Sequence, residues 1–213
     1  MTNKKRVFVY YDGSNFYHTC LYNYGIKEID FYHMTNQLLD IQNEELVRIK
    51  YFNAPINQQE NPIQYADQLK FFSRIRKTPF LELYLGRLVR RPLKKINIVC
   101  RKCGHQKTKL VTCPFCNDHI DITTCYKSSE KGVDVQLAIN MLLDALHDKY
   151  DVALLFSGDA DYCPAIRHII KELKKEVIFC HFPHPKTNEL VQTCSSSRII
   201  TKDAVERAMI GKN

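Results

Sequence analysis

Five short apolar runs alternate with stretches of helical period along this chain, and that alternation constrains the fold more than any other feature. The runs are "RVFVYY" (6–11), "LVRIKYF" (46–52), "FLELYLG" (80–86), "DVALLF" (151–156) and "EVIFC" (176–180), whose length and aliphatic and aromatic content predict strands. Between them, "FYHMTNQLLDIQ", "PIQYADQLKFFSRIRK" and "VDVQLAINMLLDALHDKY" bring apolar residues round to one side of a helix. Strands separated by helices predict an α/β fold, a three-layer sandwich with a central, mostly parallel sheet. The segment "NAPINQQENP" (53–62) reads as a loop, and the end, "SSSRIITKDAVERAMI", as a short strand and a last helix capped by Thr201 or Asp203. At 213 residues and 45% hydrophobic, the chain can bury a full core as one domain over 1–213 with a small insertion.

The alternation breaks at 87–130. This stretch carries two C-x-x-C pairs, Cys100 with Cys103 and Cys113 with Cys116, each around short polar sequence. Four thiolates presented by two tight turns suit one tetrahedral Zn(II), because soft sulfur and that geometry both match the ion. The expectation is a structural zinc ribbon or knuckle over 96–120, with His105, His119 and Cys125 as nearby reserve ligands. Metal binding would supply the folding free energy that so small a piece lacks. Positive charge is dense on the same stretch, at Arg87, Arg90, Arg91, Lys94, Lys95, Arg101 and Lys102, continuing to Lys107 and Lys109. A solvated face would look the same, but these residues are the candidates for tracking a phosphate backbone. Nearer the chain start, Tyr11, Phe16 and Tyr17 are candidates for stacking on bases or, more commonly, for the core.

Aspartates gather where the pattern puts strand ends. Asp12 closes the first strand, with Gly13 for a sharp turn and Ser14 or Asn15 to cap a following helix. In an open parallel sheet, ligands bind at the carboxyl ends of strands where the strand order reverses. Asp134 stands in the first turn of a helix whose polar face traces as Gln136, Asn140, Asp144 and Asp148. A rotation of about 200° from Gln136 turns Asp134 toward the apolar side, above Leu137 and Met141, where a carboxylate needs compensation. Asp159 and Asp161 follow the fourth strand in "LLFSGDADY", and Asp161 would also serve as a helix cap. Clustered like charges call for a divalent cation, and an all-oxygen donor set favours Mg(II) or Mn(II), as one ion or two.

Three blocks, "VFVYYDGSNFY", "KGVDVQLAINML" and "LLFSGDADYCPAI", resemble in order the signature blocks of the NYN domain, especially its LabA-like branch, within the PIN-like nuclease superfamily. The resemblance runs from about Arg6 to Cys180 without the cysteine insertion. It implies a PIN-like sandwich that binds Mg(II) or Mn(II) and hydrolyses RNA phosphodiesters. Asp12, Asp134, Asp159 and Asp161 would form the acidic set, with Asn15 and Ser157 as polar helpers. Lys131 is a further candidate for a phosphate or the transition-state charge.

The expected function is thus a metal-dependent ribonuclease, an endonuclease, and the competing reading is a non-catalytic RNA-binding module on the same fold. No G-x-G-x-x-G or P-loop occurs, which disfavours dinucleotide binding, and the first strand lacks an Asp-x-Asp pair, with Ser14 two residues beyond Asp12. A net charge of +8 favours a polyanionic partner, here RNA, single-stranded or structured. The apolar run from Val7 to Tyr11 is too short for a secretory signal and no stretch reaches membrane-spanning length, so a cytoplasmic chain without a membrane partner is expected. Nine cysteines then read as ligands and buried thiols rather than disulfides, and a homodimer is compatible with the sequence.

Overall fold

The structure, a computed structural model, describes residues 4–26, 28–92, 97–99, 102–103, 106–108, 111–112, 119–120, 126–183 and 188–210. Two compact units divide the chain: Met1–Arg87 with Gly132–Asn213, and Leu88–Lys131.

The first unit is built on six parallel strands: β1 (Lys5–Asp12), β2 (Glu44–Asn53), β3 (Leu81–Leu85), β10 (Val152–Phe156), β11 (Glu176–His181) and β12 (Ser196–Ile199). The order across the sheet is β12-β11-β10-β1-β2-β3. All five expected runs are strands, and the short sixth follows. β1 is central and reads as a continuous apolar run because both its faces are covered. Val7, Val9 and Tyr11 meet Phe16, Phe31, Met34 and Phe72, from α1 (Gly13–Tyr24), α2 (Phe31–Asn36) and α3 (Pro62–Ile75). Phe8 and Tyr10 face the other core, with Leu137 and Met141 of α4 (Val133–Leu146), Ile166 and Ile169 of α5 (Cys163–Lys171) and Leu190 of α6 (Asn188–Thr193). This alternation along one strand makes the three layers. A last helix, α7 (Lys202–Arg207), is capped by Thr201, whose hydroxyl accepts from the Ala204 N–H at 3.2 Å.

Two helical readings change. The stretch 31–42 is helical only to Asn36, because Asp40 draws the chain into a turn: its carboxylate accepts from the Gln42 N–H and from Asn43 Nδ2, at 3.3 and 2.8 Å. On α4 the stripe Gln136, Asn140, Asp144 is not a solvent face. Asp144 is buried and takes Lys50 Nζ of β2 at 2.5 Å, while Tyr10 OH donates to the same carboxylate at 2.8 Å and Asn140 Oδ1 accepts from Lys50 at 3.0 Å. The Lys50 ammonium also lies 5.3 Å from the Tyr84 ring centre. Outward on α4 stand Val135, Ile139, Leu143 and Leu146, all exposed.

At the amino ends of the strands, Arg6 clasps Asp151 through backbone N–H, Nε and Nη2, at 2.9, 3.0 and 2.8 Å. These donors hold the Asp151 carboxyl well below the usual range.

In the second unit, β4 (Arg87–Pro92) pairs with β9 (Tyr126–Lys131), β5 (Asn97–Val99) with β6 (Gln106–Thr108), and β7 (Val111–Thr112) with β8 (His119–Ile120). Cys100, Cys113 and Cys116 of the expected zinc set lie outside the described residues, as do Lys94, Lys95 and Arg101 and the side chains of Arg90 and Arg91; Cys103, Arg87 and Lys102 are exposed.

Candidate active site

The strand order reverses between β1 and β10, and their carboxyl ends carry Asp12 and Ser157. Along β1, Asp12 shares the face of Phe8 and Tyr10, so its carboxylate lies on the α4 and α5 side; it is 5% exposed. Oδ1 of Asp12 accepts from the Asn15 N–H at 3.1 Å, and Oδ2 accepts from Ser157 Oγ at 2.8 Å. Asp12 itself therefore caps α1, in place of the Ser14 or Asn15 expected. Asn15 does something else: its Oδ1 accepts from the Gly158 N–H at 3.0 Å and ties the start of α1 to the exit of β10.

Gly13 is required here for space. A Cβ at this position would lie 2.4 Å from the Tyr51 ring, which is buried and cannot yield cheaply.

Asp134 is brought to the same place from α4. Gly132, in the left-handed conformation at φ 83°, turns the chain into the helix and puts Asp134 in its first turn. Contrary to expectation the residue is exposed. It lies on the side of Leu137 and Met141, but one turn earlier, where the helix has reached the open ends of the strands. Its Oδ1 accepts from Tyr162 OH at 3.2 Å, and the same hydroxyl lies 3.5 Å from Asp12 Oδ2. Burial first, and then the charges of Asp12 and Asp134, push the Tyr162 phenol well above its ordinary value, so it remains a proton donor.

Asp159 and Asp161 occupy the turn that follows β10. Asp159 caps the short 3-10 turn Ala160–Tyr162 by accepting from the Asp161 N–H at 2.9 Å, and its own N–H reaches Ser157 Oγ at 3.2 Å. The capping role expected of Asp161 thus falls to Asp159, and Asp161 is exposed. Tyr11 and Phe16 are core residues: Tyr11 stacks on Phe156 and meets Phe31 edge to face, and Phe16 meets Phe156 edge to face, whereas Tyr17 is exposed. Lys131 is exposed at the end of β9.

Hydrogen bonds thus join Asp12 to Asn15 and Ser157 and, through Tyr162, to Asp134 at the ends of the strands, while Asp159 and Asp161 lie in the turn that follows β10. Among the described residues, no three His, Cys, Asp or Glu side chains converge as a metal-holding group. Tyr162 was not singled out by the sequence, which carries no signal for where its hydroxyl points.

An open parallel sheet with acids at its switch point is an α/β domain built to bind a ligand beyond the strand ends. The NYN domain model matches residues 6–201, and the chain belongs to that family, part of the PIN-like nuclease superfamily. The crystal structure of a protein of unknown function from Vibrio parahaemolyticus is similar, with a TM-score of 0.58 over 95% of this chain and 97% of that one, at 20% sequence identity. That likeness speaks for the fold. No curated protein matches the chain. No helix among the described residues is long and apolar enough to cross a membrane.

Proposed function

We propose that the chain is a divalent-cation-dependent ribonuclease of the LabA-like kind, cutting RNA internally. The observation that carries this reading is the crevice itself: two carboxylates, from the end of a central strand and the start of a helix, meet one phenol at the sheet's switch point. The donor set fits Mg(II) or Mn(II), because a small hard cation uses one or two carboxylates and completes its shell with water and substrate phosphate. Asp12 and Asp134 would hold it, with Asp159 and Asp161 within the adjoining turn for outer contacts or a second ion. When bound, the cation would polarise the scissile phosphate and lower the pKa of a bound water. The chain's residues do the rest. Ser157 and the Asn15 N–H orient the Asp12 carboxylate, and the Asn15 amide holds the two loops together; the basic residues Arg87, Arg90, Arg91, Lys94, Lys95, Arg101 and Lys102 are the candidates for binding the RNA backbone. Self-association belongs to the same reading, since the apolar stripe outward on α4 is a surface that a second copy would cover.

Purified protein, stripped of divalent ions and then given Mg(II) or Mn(II), is expected to release internal fragments from labelled single-stranded or hairpin RNA, and a chelator to stop it. RNA bound tightly but left uncut under every cation would favour the second reading, a binding module without turnover. That reading draws on Asp159, whose carboxylate already serves as a turn cap.

The same reading keeps one structural zinc on Cys100, Cys103, Cys113 and Cys116. Elemental analysis after purification without chelators is expected to give one zinc per chain, and a chain with none would remove the zinc ribbon.

A further inference from the structure

We propose that Tyr162 is a positioning residue that sets the strength of the cation site by tethering Asp134 beside Asp12. The inference rests on reading the acidic crevice as a cation site, and assigns the phenol beside it a role that this reading leaves open.

Asp134 is exposed at the start of a helix, a place where a carboxylate would otherwise sample several rotamers in water. Among the described residues its hydrogen-bond partner is the Tyr162 hydroxyl, at 3.2 Å. Tyr162 can act as a fixed post. It is 1% exposed, closes the 3-10 turn that Asp159 caps, and leads directly into α5, whose Cys163 and Ile166 are buried. Its ring belongs to the core and only its oxygen reaches the crevice.

A phenol has one proton to give. Oδ2 of Asp12 already accepts from Ser157 at 2.8 Å and stands 3.5 Å from the phenol, so the proton is best spent on Asp134. The bond draws Asp134 toward a second carboxylate that repels it. Without the tether, the repulsion and the freedom of an exposed side chain both favour Asp134 turning out to solvent, and a cation would have to gather it back. With the tether, two anionic oxygens are held near one another before any ion arrives. Phenylalanine would fill the same volume in the core, so the hydroxyl is a separable feature.

The test is Tyr162→Phe, read by Mn(II) binding, following free Mn(II) by electron paramagnetic resonance, and by the melting temperature of the cation-free protein. The variant is expected to melt close to wild type and to bind Mn(II) about tenfold more weakly, the lower end of what a hydrogen bond to a charged group is worth. In an Asp134→Asn background, adding Tyr162→Phe should change Mn(II) affinity little, because the tethered charge is already gone. Wild-type affinity in Tyr162→Phe would overturn the tether while leaving the cation site standing. Equal weakening in the presence and absence of the Asp134 carboxylate would also overturn it, since a purely structural defect behaves that way. Wild-type protein that binds no Mn(II) would bring down both readings.

Discussion

Asp12→Asn is expected to lower cation-dependent RNA cleavage by about two to three orders of magnitude, the scale on which single preorganised groups act in transition-state stabilisation. The fold should persist. Asparagine caps helices as well as aspartate, so its Oδ1 still takes the Asn15 N–H, and its amide can donate to Ser157, whose hydroxyl reverses its role. What disappears is the anionic oxygen that a hard cation requires at the centre of the crevice. Single-turnover cleavage rates beside thermal melts check this. A variant that folds and cuts at the wild-type rate would place the chemistry away from β1. Combining Asp12→Asn with Asp134→Asn should add little further loss, because residues acting as a unit do not contribute independently.

The second large effect lies beneath the site. Asp144→Leu is expected to destabilise the protein by about 3–5 kcal/mol, because Lys50 is left charged and buried without its carboxylate. Lys50 and Asp144 have side chains 7% and 3% exposed, so water cannot easily replace the lost partner. The double variant Lys50→Met with Asp144→Leu should recover most of the loss, since a buried pair replaced as a pair costs far less than one broken. Urea melts of the two single variants and the double close the cycle. Additive losses would show that the two side chains are not coupled.

The strands were legible because a doubly covered sheet writes itself as uninterrupted apolar runs, whereas their partners across layers were not. Lys50 in "LVRIKYF" and Asp144 on α4 each look solvated alone, since a polar stripe on a helix marks water or a buried counter-charge equally well. The same ambiguity governs Asp134. Its angular position was readable from the helical period, but its exposure depended on where the helix ends relative to the strands. Asp12 was readable because turn chemistry and a strand end coincide there, whereas Asn15 and Ser157 entered as polar helpers through the resemblance to the NYN blocks. Tyr162 could not, because the direction of one hydroxyl depends on packing 150 residues from Asp12 in sequence. The ligands expected for zinc lie mostly outside the described residues, and sequence spacing remains their basis.

The strand order has a consequence for the life of a nascent chain. β1, β2 and β3 are neighbours both in sequence and in the sheet, so this half can pair while the remainder is still being made. The other edge of β1 must wait for β10, which emerges after the whole second unit and α4. Ser157, which grips Asp12, arrives 145 residues later, and Tyr162 later still. Throughout that interval Asp12 has its local cap and none of the distant groups that complete the crevice. On the proposed ribonuclease reading this delay separates synthesis from activity, because the site on a nascent chain stays unassembled until β10 has joined the sheet.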